Sequence, residues 1–308
     1  MSNASSAPTY QSGQRSVAPS GTAAPADIRA GALQFLAHLA AEVSSGTVDL
    51  PCFPNVVLRI RTALADPKNT PEKTVNIVGA EPRLAARLMQ TANSAALNRS
   101  GKPITDLRTA INRLGHQIVQ SAAMAFAVQH MKDETSLRSI VKPMTELWVE
   151  SISVALICQV VARNTKVKPD EAFLAGLMHG MGRLYIMVRA IGRADEFGQA
   201  DSFSEMINGW QASIGKAVLE NWDFSPEICD AVGNQQDYGR RRRIDAELSD
   251  ILIASIVLAG DLSTPAPRIV DTEGITSFQT LGLTAPDCDA ILMHADLQIA
   301  SLQEALGC

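Results

Sequence analysis

Four consecutive arginines form the densest group of charged side chains in the sequence: Arg240, Arg241, Arg242 and Arg243. They follow Tyr238 and Gly239, in a stretch that is typical of a turn. Guanidinium groups bind phosphate and carboxylate through paired hydrogen bonds, so this arginine run could hold a phosphorylated ligand, an acidic protein or nucleic acid. A solvated loop between two helices is the alternative, because arginine is mostly exposed to water.

A second basic region covers residues 52–132, with eleven basic and four acidic residues. Arg83 and Arg87 are four residues apart, so a helix would place them on one face as a further site for an anionic partner. Single-stranded nucleic acids also need aromatic side chains for stacking, and residues 54–125 contain no Phe, Tyr or Trp. Backbone phosphate or an acidic protein is the favoured target. Residues 244–308 carry ten acidic residues and one basic residue, so an intramolecular contact is another alternative.

The sequence contains none of the common catalytic motifs GxSxG, GxxxxGK(S/T), GxGxxG or HExxH. Its five cysteines are dispersed and form no CxxC pair, which favours free thiols in a reducing compartment. They are Cys52, Cys158, Cys229, Cys288 and Cys308. These patterns predict neither a metal nor a cofactor.

The composition of the 308 residues, 46% hydrophobic and 19% charged, is typical of a folded protein. Its apolar runs are shorter than the roughly 20 residues that span a membrane, and no secretory signal is readable. We therefore expect a cytoplasmic protein. Residues 1–26 are rich in Ser, Ala, Pro and Gly and predict a disordered tail.

Apolar residues at helical spacing cover nearly all of the remaining chain, and no alternating run predicts a strand. Prolines at the first helical position predict helix starts at Pro71, Pro82 and Pro169. Pro103 is expected to begin a helix that Gly115 ends. Further helices are predicted over residues 147–161, 204–222, 225–233, 244–262 and 285–306. The predicted fold class is all-α.

Six short sequence blocks follow one another between about residues 50 and 236. They are 50–54 (LPCFP), 81–84 (EPRL) with 92–95 (ANSA), 104 with 109–111 (TAI) and 114–115 (LG), 147–148 (LW), 172–184 (AFLAGLMHGMGRL), and 214–215 (IG) with Leu219 and Trp222. In this order and spacing they resemble the HDOD family, the relatives of the HD and HD-GYP metal-dependent phosphohydrolases. The resemblance implies a helical fold with two sub-lobes, the second of which is HD-like.

The resemblance also suggests how the chain is divided. We expect an HDOD domain over residues 27–243, with an N-terminal helical lobe at about 27–140 and an HD-like lobe at about 141–243. A C-terminal helical extension, residues 244–308, is expected to pack on the HD-like lobe.

In active HD enzymes, His and Asp ligands hold one or two divalent metals that activate a water molecule. The resemblance places the corresponding positions at Glu150, His179, Gly180, Gln211, Gln235, Gln236 and, more loosely, Asp261. Only His179 and Asp261 keep the residue type, and glycine stands at the position of the bridging carboxylate. Because neutral amides are poor ligands for divalent metals, we predict a vestigial site without metal, catalytic residues or enzyme activity. His179 is then either a satisfied core histidine or part of a residual ligand pocket.

The resemblance implies a bacterial signal-transduction regulator or scaffold that contacts proteins of two-component or cyclic-dinucleotide pathways. One alternative is a protein that binds a nucleotide, a second messenger or nucleic acid through the basic lobe and the arginine run. A residual phosphohydrolase is the remote alternative, and a homo-oligomer is a further hypothesis.

Overall fold

The computed structural model of the chain describes residues 25–45, 48, 50, 53–66, 68–94, 98, 102–193, 200–262, 272 and 274–306. Within those residues it has thirteen α-helices, one 3₁₀ helix and no strand, so the all-α prediction is confirmed. The tail predicted over residues 1–26 lies outside the described part, except for Pro25 and Ala26, which belong to the first helix.

The first five helices are α1 (Pro25–Ser44), α2 (Asn55–Ala65), α3 (Pro71–Gly79), α4 (Pro82–Asn93) and α5 (Leu107–Asp133). Helices α2 to α5 pack on one another and form the first lobe. The starts predicted at Pro71 and Pro82 are confirmed, and the Thr70 hydroxyl caps α3 by accepting from the amide of Lys73.

The helix predicted from Pro103 to Gly115 begins later than predicted, but its predicted end is confirmed. Helix α5 begins at Leu107, because the Asp106 carboxylate caps it by accepting from the amide of Thr109 at 2.8 Å. Gly115 has a φ of 74°, and its non-helical backbone separates two helical stretches within the bounds of α5. The left-handed glycine therefore ends the first stretch as predicted, and a second stretch follows directly after it.

A 3₁₀ helix (Thr135–Ile140) leads into eight further helices. They are α6 (Val141–Ala162), α7 (Pro169–Met178), α8 (Met181–Arg189), α9 (Ala200–Asn221), α10 (Pro226–Gly233), α11 (Leu248–Leu262), α12 (Thr276–Leu281) and α13 (Ala285–Leu306). The predicted start at Pro169 and the predicted helix 285–306 are confirmed. The helix predicted from residue 244 begins four residues later, at Leu248.

Helix α6 lies at the centre of the second lobe and contacts α5, α7, α11 and α13. Together with the 3₁₀ helix, it is the one described segment that is long and apolar enough to cross a membrane by length and composition, and 61% of its most apolar 18-residue window is buried in the fold. Core helices of globular proteins share this property.

Two glycines allow helices of the second lobe to pack closely. A Cβ added to Gly176 would lie 2.6 Å from the Cα of Ala155, where α7 crosses α6. A Cβ added to Gly182 would lie 1.9 Å from the carbonyl oxygen of Gln211, where α8 crosses α9. These contacts align the α7–α8 turn with α6 and α9.

Helices near both ends of the chain also contact a lobe other than the one expected from the sequence. Helix α1, which the sequence groups with the first lobe, contacts α9, and its Glu42 forms an ion pair with Arg189 of α8. Helix α11 is buried among α6, α7 and α10, while α13 contacts α6 and also reaches α4 and α5. The acidic C-terminal segment thus lies partly against the basic first lobe.

Candidate functional site

His179 follows α7 and is buried, with 5% of its surface exposed. Its Nδ1 lies 2.7 Å from the backbone carbonyl oxygen of Gly176. Because a carbonyl can only accept, Nδ1 carries the proton and donates it. The other ring nitrogen, Nε2, lies 3.8 Å from Oε1 of Glu150 on α6. The imidazole is therefore fixed by the backbone of its own helix and faces a carboxylate.

Glu150 stands between two partners. One oxygen faces His179, and the other accepts a hydrogen bond of 3.2 Å from the Arg183 guanidinium of α8. His179 is the largest influence that lowers the pKa of the Glu150 carboxyl, and Arg183 adds to it, whereas burial acts in the opposite direction. The site thus holds an ionised carboxylate whose charge is balanced by a protein cation.

Gly180 stands where the resemblance places the bridging carboxylate, and its surroundings are mostly apolar, with the Ser151 hydroxyl as the nearest polar group. A Cβ at this position would lie 2.6 Å from Cδ1 of Leu147. A cavity of about 20 Å³ adjoins the glycine and is lined mainly by methionine and leucine side chains, including those of Met144 and Leu177. A carboxylate introduced here would meet apolar groups and would lose its hydration without compensation.

Two of the three glutamines at the other positions that the resemblance assigns to the site donate to backbone carbonyls. Gln235 is 3% exposed, and its Nε2 donates a hydrogen bond of 3.2 Å to the carbonyl oxygen of His179. Gln236 donates one of 2.8 Å to the carbonyl oxygen of Asn208 on α9. Gln211 is half-buried, and its carbonyl faces Gly182. Asp261 belongs to α11, but its side chain lies outside the described part of the structure.

The described residues do not fit the metal that the HD resemblance implies. Glu150 is already paired with Arg183, whose positive charge opposes a second cation nearby. His179 could offer only Nε2, since Nδ1 donates to a carbonyl, and Gly180 supplies no side-chain donor beside it. Among the side chains described, no group of three or more His, Cys, Asp or Glu residues could hold a metal ion.

A groove of about 410 Å³ begins at Glu150 and runs between α6 and α11. Its walls include Glu146 and Ser153 on α6, and Ala259 and Gly260 on α11. The groove is therefore acidic on one side and has backbone and small side chains on the other. It is the space beside the vestigial site that a ligand could enter.

The arginine run is divided by its contacts. Arg240 is 9% exposed, and its guanidinium pairs with Glu247 at 2.8 Å and with the buried Asp250 at 3.4 Å. Arg243 also pairs with Glu247. Arg241 and Arg242 are exposed, and no ion pair joins them to any residue that the structure describes. Only these two middle arginines are available to an anionic partner.

The two arginines of α4 also differ. Arg83 forms an exposed ion pair of 3.0 Å with Asp133 at the end of α5. Arg87 is half-buried, and no ion pair of its guanidinium occurs among the described residues. Because Arg83 is partly neutralised, the expected anion site on this face keeps one uncompensated charge.

Sequence reasoning missed Arg61, although it joins the two lobes. Its guanidinium donates to the carbonyl oxygens of Trp222 and Asp223, at 2.5 and 2.8 Å, and lies 4.3 Å from the ring centroid of Phe224. Phe53, from the first sequence block, stacks on Trp222 from the last, with centroids 5.0 Å apart. The order of the blocks could have suggested this aromatic contact. The partners of Arg61 are backbone carbonyls, which every residue has, so no residue type in the sequence marks them.

Solved structures with the same fold include proteins from three bacteria. A protein of Shewanella amazonensis SB2B, provisionally named a metal-dependent phosphohydrolase, is 22% identical, with a TM-score of 0.65 over 90% of this chain and 99% of that one. An HDOD domain protein of unknown function from Geobacter sulfurreducens is 23% identical, with a TM-score of 0.58 over 89% and 98%. A protein of Marinobacter aquaeolei VT8, provisionally named a signal transduction protein, is 18% identical, with a TM-score of 0.59 over 94% and 68%. At these identities the likeness concerns the fold.

No curated protein matches the chain significantly. The family model of the HDOD domain matches residues 50–238, which is more than half of the chain and includes all six sequence blocks. Together with the all-helical fold, this match confirms the resemblance seen in the sequence. The chain therefore belongs to the HDOD domain family.

Proposed function

We propose that the chain is a signal-transduction regulator that acts by contacting other proteins and catalyses no reaction. The observation that carries the proposal is the Glu150–Arg183 ion pair, which fills the vestigial HD site with a protein cation at 3.2 Å from the carboxylate. A metal-activated water is the nucleophile of HD chemistry, and this pairing opposes it. The apolar surroundings of Gly180 support the same conclusion.

Membership of the HDOD family fits a regulatory role, as does the fold shared with the Marinobacter protein named for signal transduction. The Shewanella protein with the same fold is named a phosphohydrolase, so the absence of activity needs a direct test. Purified chain should be incubated with a cyclic dinucleotide and with bis-p-nitrophenyl phosphate, each with added Mn²⁺ or Mg²⁺. We expect no product above the buffer blank. Metal-dependent turnover that is lost in His179→Ala would refute the proposal.

Action through protein contacts requires a partner, which we propose is a protein of a two-component or cyclic-dinucleotide pathway in the cytoplasm. Affinity purification from cells that express the chain, followed by identification of bound proteins, tests this idea. The control bait is another helical protein of similar net charge. Enrichment of sensor kinases, response regulators or cyclic-dinucleotide enzymes over that control is the expected outcome, and a partner set that matches the control contradicts it.

A nucleotide or nucleic-acid binder is the second candidate, because Arg241 and Arg242 are exposed without an ion pair to described residues. Binding to phosphates would weaken steeply with salt. Fluorescence anisotropy with labelled cyclic dinucleotide and single-stranded DNA should be compared between the unaltered chain and Arg241→Ala/Arg242→Ala. Binding that weakens with salt and is lost in this variant would favour the second candidate. It would argue against a regulator that binds no nucleotide.

A further inference from the structure

Three of the large apolar side chains that remain exposed belong to the two chain segments that precede and follow α12, and a fourth, Trp210, belongs to α9. Four of them in the described residues are more than 40% exposed: Trp210, Tyr238, Ile244 and Met293. Tyr238 and Ile244 belong to the loop before α11, and Met293 belongs to α13. Helix α12 lies between these two segments in the chain, and its first amide, that of Thr276, donates to the carbonyl of Tyr238 at 3.0 Å.

The loop is held in place by its own charged residues. Arg240 reaches the buried Asp250 at 3.4 Å, and Asp250 accepts a hydrogen bond of 3.1 Å from Ser277 of α12. Glu247 pairs with both Arg240 and Arg243. This network leaves Arg241 and Arg242 exposed beside Ile244, whose whole surface contacts solvent. A rigid loop that presents arginines beside an apolar side chain has the composition of a binding hot spot.

The outer face of α13 has the complementary chemistry. Its inner face buries Cys288, Leu292 and Ala295. Asp289 is exposed on the outer side, and Met293 follows one turn later with 65% of its surface exposed. An aspartate and an apolar side chain thus stand at i and i+4, a spacing that matches one charged and one apolar group on a partner.

We propose that a second copy of this chain binds here, with the loop at residues 241–244 of each copy against the α13 outer face of the other. Arg241 and Arg242 would pair with Asp289, while Ile244 packs on Met293. The loop carries Tyr238, whose carbonyl accepts from the first amide of α12, and α13 follows α12 after three residues. Because one molecule carries both patches, a dimer with a two-fold axis would form the contact twice. A second copy is favoured over an unrelated partner because one chain presents both complementary patches. The inference is independent of the proposed regulatory function.

Sedimentation velocity of the full chain over about 1 to 100 µM tests the proposal. We expect a monomer–dimer equilibrium that weakens with added NaCl, because the contact includes exposed ion pairs. Arg241→Glu/Arg242→Glu and Asp289→Arg should each be monomeric over this range. An equimolar mixture of the two variants should dimerise again, because each loop then meets a helix of opposite charge. Ile244→Ser should raise the dimer dissociation constant about tenfold.

Arg59→Glu/Arg138→Glu is the matched control, since both arginines are exposed elsewhere on the chain. It makes the same change in net charge and should dimerise like the unaltered chain. Circular dichroism melting curves identify any variant that fails to fold. A monomeric unaltered chain at the highest concentration would overturn the proposal. So would a mixture of the two charge variants that stays monomeric while both variants are folded.

Discussion

The guanidinium of Arg61, on α2, donates a hydrogen bond of 2.8 Å to the backbone carbonyl of Asp223, just after α9. Asp223 has a φ of 56°, in the left-handed region, so the chain turns sharply there. A second donor of the same guanidinium reaches the carbonyl of Trp222. A cation at the carboxyl end of a helix also interacts favourably with the helix dipole. One side chain of the first lobe thus binds the carbonyl groups at the C-terminal end of a helix in the second lobe.

Arg61→Ala should lower the free energy of unfolding by about 2 kcal/mol, because hydrogen bonds from a charged donor to two carbonyls are lost. Urea unfolding measures this change. Arg59→Ala, on the same helix, is the control, since Arg59 is exposed and should change stability by about 0.5 kcal/mol or less. Equal effects of the two substitutions would show that Arg61 does not join the lobes.

Gly182→Ala should destabilise the chain by about 3 kcal/mol, because the new methyl group would overlap the backbone where α8 crosses α9. Gly209→Ala on α9 is the matched control, since a Cβ there meets no atom within 4 Å. In a helix, alanine should stabilise that position by up to about 1 kcal/mol. Thermal unfolding of both variants measures the difference, and the same sign for both would contradict the close packing.

Glu150→Gln should reduce stability at neutral pH, and the reduction should shrink in acid. The lowered pKa means that His179 and Arg183 favour the charged carboxylate in the folded protein. The stabilisation is therefore present above the ordinary glutamate pKa of 4.5 and is lost as the pH falls through the lower pKa of the folded state. Urea titrations of both proteins across that range test this, and a difference that does not change with pH argues against the charge network.

The three described cysteines should be inert in the folded protein. Burial raises the pKa of Cys158 to about 12 and that of Cys229 to about 11, and it also raises the pKa of Cys288. Because the thiolate is the reactive form, a Cys52→Ser/Cys308→Ser variant should react with Ellman's reagent only after unfolding. Unfolding should then release three thiols. Rapid reaction of the folded variant would contradict the burial.

Much of the fold is predictable from the sequence, because prolines and capping hydroxyls act locally. Thr70 and Ser225 each cap the helix that a following proline begins. Gly115 likewise ends a helical stretch, because its left-handed backbone cannot continue the helix. The start predicted at Pro103 was wrong, because the Asp106 carboxylate caps the helix three residues further along the chain.

The interactions of the candidate site were not predictable from the sequence. The resemblance alone places the HD-site positions, and the role of Arg183 depends on its side chain reaching Glu150 from α8. The charge of Arg240 is likewise balanced by Asp250, a buried residue in the first turn of α11. Both ion pairs form because the fold brings the two side chains together, and no fixed spacing in the sequence predicts either pair.

We propose that the Glu150–Arg183 ion pair takes the place of the metal in the HD site. Titration calorimetry with Mn²⁺, together with metal analysis of the purified chain, tests this replacement. We predict less than one equivalent of metal as purified and no saturable heat that depends on His179 or Glu150. Stoichiometric Mn²⁺ binding that disappears in both His179→Ala and Glu150→Gln would contradict the account.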